Sequence, residues 1–156
     1  MRGGVLCIAA LAVLLLAACG GGSSSRLTAD QYRAEMTKIN AEAASAVSNV
    51  ARGLQAKSLA ELRQRFDAFS AETQRIGDEV AKLKPPQNAE AANIALAQGM
   101  HETARATHTQ SSEIAGLHTA QEAIAYLQTT AGNQKGAHDV NEAFAKLRKL
   151  GYLSGG

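Results

Sequence analysis

The sequence predicts an all-α protein, an up-down-up-down four-helix bundle whose last helix is kinked or broken. Three observations predict it. From Leu27 onward alanine, glutamate, glutamine, lysine and arginine dominate, and runs of β-branched and aromatic residues are absent. Three segments, Thr28-Ala29-Asp30-Gln31, Ser58-Leu59-Ala60-Glu61 and Thr119-Ala120-Gln121-Glu122, match the capping box, in which a hydroxyl and a later acid or amide satisfy free backbone donors reciprocally. Finally, Leu59, Leu62, Phe66, Phe69, Thr73, Ile76, Val80 and Leu83 alternate by three and four residues, which makes one continuous helical seam.

The first helix starts at the Thr28 box and carries Tyr32, Met36, Ile39, Ala43, Ala46, Val50 and Leu54 on one stripe, with Gly53 placed to stop it. The alanines of that stripe would permit a close helix approach. The second helix holds the seam and ends at Pro85-Pro86, because proline lacks an amide hydrogen and disfavours helical geometry in the residue before it. Asn88 is the expected cap of the third helix, which ends near Gly116. This helix offers Leu96, Met100, Ile114 and Leu117 to a core, but Thr103, Thr107 and Ser111 share the stripe and weaken its centre. After Thr119, Ile124 and Leu127 face one way and Val140, Phe144 and Leu147 nearly the opposite way, so Gly132 to Gly136 must kink or break the segment. Segments of about 28, 26, 29 and 32 residues with short links suit a four-helix bundle. The alternative is a three-helix bundle followed by a separate hairpin of two shorter helices. No solenoid period is present.

The chain before Leu27 is of another kind. Arg2 supplies a positive start, Val5 to Ala18 form a nearly unbroken apolar run, and small residues precede Cys19, the pattern of a cleavable export signal whose apolar run is too short to favour a spanning helix. The box Leu16-Ala17-Ala18-Cys19 resembles that of bacterial lipoproteins. The resemblance implies cleavage before Cys19 and acylation of Cys19, the expected lipid attachment site, on its sulfur and amine. It divides the chain into a signal at 1–18, a lipidated cysteine and tether at 19–26, and a helical domain at 27–156. It also implies anchoring, outside the cytoplasm, to the cell membrane or an outer membrane, since two or more acyl chains hold where one binds marginally. Gly20-Gly21-Gly22-Ser23-Ser24-Ser25 is a flexible tether with a reach of roughly 13 Å. The whole chain is similar to the small alanine-rich helical lipoproteins of actinobacterial and related envelopes, in which a Leu-x-Pro-Pro turn, here Leu83-Lys84-Pro85-Pro86, separates two long helices.

Loss of the first 18 residues leaves 138, enough for one domain. Cys7 departs with the signal and Cys19 is acylated, so packing alone must stabilise the mature protein. With Arg2 gone, 15 basic residues face 14 acidic ones, and there is no tryptophan. Neither the basic face nor the stacking platform of a nucleic-acid binder is present. If the first helix starts at a membrane, Lys82, Lys84, Lys146, Arg148 and Lys149 gather at the same end, with Arg26 in the tether. Cations there favour an anionic leaflet, although they also complement the ends of helix dipoles.

Candidate chemistry is sparse. Of His101, His108, His118 and His138, the pair His101 and His108 is seven apart on one face of the third helix, beside Glu102 and Arg105. A zinc site there would need about two further ligands, and the Glu-x-x-His pairs of di-iron bundles do not occur. No haem-attachment motif, nucleophile elbow, P-loop or His-Glu-x-x-His is present. Ser111-Ser112-Glu113 and Asp139 lack a convergent partner. The sequence therefore favours a non-enzymatic, anchored helical module with no cofactor, whose partners are membrane lipid through Cys19 and an envelope protein. A small-ligand- or metal-binding bundle that uses the thin centre around Thr103 and Thr107, flanked by His101 and His108, is the alternative. Replacing Cys19 with serine should abolish metabolic labelling of the protein by palmitate; undiminished labelling would refute the attachment site.

Overall fold

The capping boxes start helices in the computed structural model, which describes residues 25–53, 55–130 and 135–154. The amides of Gln31 and Thr28 donate to each other's side-chain oxygens at 3.2 and 3.0 Å and open α1 (Ala29–Gly53). Ser58 Oγ accepts from the Glu61 amide at the start of α2 (Leu59–Lys82), while the Glu61 carboxylate reaches back to the amide of Lys57. The helix stops at Leu83, whose extended backbone leads into Lys84-Pro85-Pro86. A single 3-10 turn, Gln87–Ala89, then leads into α3 (Glu90–Ile114). Asn88, expected as a cap, does not cap. It falls within the 3-10 turn, its Oδ1 accepts from the Tyr152 hydroxyl at 2.9 Å, and α3 starts at Ala89 without a side-chain cap.

The last segment is broken. Thr119 and Glu122 cap α4 (Ala120–Thr130), and α5 (Lys135–Lys149) follows. Gly132 and its neighbours at 131–134 lie outside the described residues, as does Leu54 of the first stripe, and Gly136 sits within α5. Both short helices run antiparallel along α3. Gln110 of α3 donates to Thr130, Gly136 lies against Thr103, and Gly99 against Val140. They share the fourth position of the bundle, so the alternative of a detached terminal hairpin is set aside. Among the described residues there is no strand.

Two apolar cores result among the described residues. One, at the end holding the start of α1, joins Tyr32, Met36, Ile76, Val80, Leu96, Phe144 and Leu147, with Tyr152 and Leu153 from beyond α5. The other joins Leu62, Phe66, Ile114, Ala123 and Leu127 at the far end. Between and beside them α3 carries buried Thr103, Thr107, Gln110 and Ser111. The two threonine hydroxyls donate to the carbonyls four residues earlier, at 2.8 and 2.9 Å, which satisfies them without a partner from another helix. The sequence's thin centre in α3 is thus a polar waist.

Glycines bring the waist's neighbours close. A Cβ on Gly136 would stand 2.6 Å from the Thr103 amide nitrogen and 2.8 Å from its hydroxyl oxygen, and one on Gly99 would stand 3.0 Å from the Val140 amide nitrogen. On the other side of α3 the His101 ring lies across Gly77 of α2.

The start of α1, the proline turn and the residues just after α5 meet at one end. The Leu27 amide donates to Lys84 O at 2.7 Å, and Arg33 Nε donates to Gly151 O at 3.0 Å. Arg26, expected in the tether, is bound: it donates to Pro85 O and pairs with Glu90, both at 2.9 Å. Tyr32 closes this end from inside. Its ring meets that of Tyr152 edge-on at 5.0 Å, its hydroxyl donates to Asn93 Oδ1 at 3.0 Å, and Asn93 in turn donates to Val80 O.

Two predictions follow from this packing. Gly136→Ala should destabilise the fold by about 1–3 kcal/mol, because the added methyl meets backbone that cannot swing away, and thermal denaturation measures it. Burial pushes the Tyr32 phenol well above its usual range. The native state therefore keeps a proton that the unfolded chain releases above about pH 10, and stability is lost as pH rises from there. Tyr32→Phe should flatten that alkaline loss and cost about 1–3 kcal/mol at neutral pH through the unsatisfied Asn93 oxygen, as read by melting curves from pH 7 to 11.

Candidate functional site

Helix pairing leaves one side of the bundle open. α1 leans on α2, where Arg75 bridges Glu72 of its own helix and Glu42 of α1, both at 2.6 Å, and Lys38 lies within 4 Å of Glu42 and Glu79. The Arg75 guanidinium hydrogen-bonded to Glu72 holds that carboxyl below the usual carboxylate range. α5 is drawn to α3 through Gly99 and Gly136. Each outer helix is thus fastened to its inner neighbour, and a groove of about 630 Å³ runs between α1 and α5.

Its floor is apolar: Phe69 of α2, Met100 of α3, and Val140 and Phe144 of α5, with the methyl-bearing Thr73 and Thr103 beside them. One wall is the α1 stretch from Asn40 to Ser48, where Ala43, Ala44 and Ala46 are too short to bridge to α5. The alanines expected to allow close helix approach therefore leave space on this side. Val47 stands at the rim, 55% exposed, and Asn40, Ser48 and Asn141 add amides and a hydroxyl there. Arg148 is the one charged residue among those lining the groove, and its guanidinium makes no hydrogen bond or ion pair among the described residues. It lies in the last turn of α5, toward the end where α1 starts.

The residues singled out in the sequence separate. Thr103 lines the groove, whereas Thr107 is buried in the waist and His101 and His108 lie off the groove. His101 Nε2 sits 2.9 Å from Asp78 Oδ1 beside a smaller cavity of about 370 Å³ lined by Leu83, Pro85, Asn93 and Ile94. His108 is exposed. Among the described residues no group of three His, Cys, Asp or Glu side chains could hold a metal. Asp139, without a partner in the sequence reading, is bound by Lys135, which holds its carboxyl below the ordinary range and also reaches Glu102. Cys19 lies outside the described residues. Among the described residues no helix is long and apolar enough to cross a membrane.

Sequence reasoning named Arg148 only as one cation of an end cluster and did not find the groove. Its signal was the run of short side chains from Ala43 to Ala46, opposite a last helix that carries Val140 and Phe144. A groove with an apolar floor, an amide-bearing rim and one unpaired cation can bind and orient a ligand. Acid–base chemistry would need titratable groups converging on it, and its lining holds none besides Arg148. Comparison with family models, curated proteins and solved structures found no match for the chain.

Proposed function

We propose that this chain is a lipid-anchored cell-envelope protein, attached through acylated Cys19 and exposed outside the cytoplasm, whose helical bundle is a non-catalytic module that binds a small ligand between α1 and α5. The observation that carries the binding half is the groove itself. Its volume of about 630 Å³ lies within the range of ligand sites, roughly 300–1,000 Å³, and its apolar floor with a few polar groups is the usual lining of such sites. The export segment ending at Leu16-Ala17-Ala18-Cys19 supports the anchoring half. The structure adds a geometric reason for the two to belong together. Arg26 and Leu27 are fastened to the proline turn, so only the six residues from Gly20 to Ser25 separate the bundle from Cys19.

Native mass spectrometry of the full-length protein, released from its own membranes, reads both halves. Covalent mass above that of residues 19–156 that survives denaturation would support acylation; its absence would overturn the anchor. Noncovalent mass that denaturation removes, and that Val47→Glu lowers, is the expected sign of a groove ligand. A chain recovered without such mass would overturn the binding reading.

A further inference from the structure

We propose that the ligand of the α1–α5 groove is a single-chain anionic lipid, its acyl chain lying along the apolar floor and its headgroup held by Arg148. This rests on the binding reading above and names the chemistry of the same site.

The shape comes first. The lining residues run from Asn40 to Ser48 on α1 and from Ala137 to Arg148 on α5, which at the helical rise gives a trough roughly 12–17 Å long with a helix on each side. A thin, extended apolar body fits such a trough. Phe69, Met100, Val140 and Phe144 supply a continuous floor without a carboxylate, and the polar groups stand at the rim. Charge comes second. Arg26, Arg33, Arg65, Arg75, Lys38 and Lys135 each have a carboxylate within 4 Å. Arg148 has none among the described residues, a lack it shares with Arg63, Lys82, Arg105, Lys146 and Lys149, but of these cations it alone lines the groove. With no acid in the lining to repel it, an anionic headgroup would find its complement there and nowhere else in the groove. Position comes third. Arg148 lies at the end where α1 starts, the end from which the tether leaves. A lipid taken from the supporting bilayer would therefore meet the cation at the mouth of the trough.

The test uses the full-length protein reconstituted in neutral phosphatidylcholine vesicles that contain a photoactivatable long-chain fatty acid, with crosslinks mapped by mass spectrometry. Crosslinks should concentrate on the stretches around Val47, Phe69, Met100 and Phe144. Arg148→Gln should weaken occupancy about tenfold, the scale of one lost charge-assisted hydrogen bond. Val47→Glu, at an exposed helical position, should suppress labelling without unfolding the chain, as circular dichroism would verify. A photoactivatable long-chain alcohol should label the wild type no better than the acid labels Arg148→Gln. Labelling spread over the surface, equal labelling by the alcohol, or crosslinks from one copy of the chain to another across the groove would each overturn the proposal. Flotation of the protein with the vesicles scores anchoring separately. If native mass spectrometry shows a groove ligand that the fatty acid cannot displace, the ligand class fails and the binding reading stands.

Discussion

The contact on which the rest of the molecule depends is the approach of α5 to α3 at Gly99 and Gly136. Gly136 has no room for a Cβ and Gly99 could take one only if its neighbours gave way slightly, so the two backbones meet more closely than side chains ordinarily allow. Once α5 is held against α3 it stands off from the middle of α1, although both share the first core. The distance between the outer helices is then fixed by the inner pair, and the short side chains of Ala43, Ala44 and Ala46 do not make up the difference. The open groove is a consequence of that geometry, because a bulkier α1 would fill it and a less constrained α5 would close it.

The polar waist of α3 follows the same logic. Where Gly136 crosses Thr103, a large apolar residue would clash; a threonine fits, with its hydroxyl returned to its own helix at the Gly99 carbonyl. The price is a core split in two. Tyr32, with its partners Asn93 and Tyr152, ties the start of α1 to α3 and to the segment after α5, while Leu62, Phe66, Ile114 and Leu127 gather at the other end. Each cluster fastens one end of the bundle, and the groove opens along the first, whose Met100 and Phe144 form part of its floor.

Much of this was legible in the sequence because it is local. Thr28, Ser58 and Thr119 act within one helical turn, Pro85-Pro86 acts on its own backbone, and the reversal of apolar facing between Leu127 and Val140 requires a break whatever the tertiary context. Asn88 shows the limit of such reasoning. Its side chain suited a cap, but Tyr152, 64 residues away, engages its oxygen. The groove was illegible for the same reason. Alanines on α1 mean close approach or empty space depending on where the facing helix is held, and α5 is held by glycines that pair only in three dimensions. Arg148 looked like any cation in a final helical turn, and only the groove beside it distinguishes it from Lys146 and Lys149.

That distinction matters because an exposed arginine without an ion pair is in itself unremarkable: water solvates it, and a surface pair would contribute little. Apolar side chains at a partly open cleft are equally ordinary, since much of any protein surface is apolar. What neither rule explains is their conjunction. The floor of Phe69, Met100 and Phe144 ends at a lone cation, with amides along the rim and no acid within it. A purely apolar ligand would leave Arg148 idle, and a small anion would leave the floor wet. An amphiphile would satisfy both at once, with its charged end nearest the start of α1 and its apolar body extending away from it along the floor.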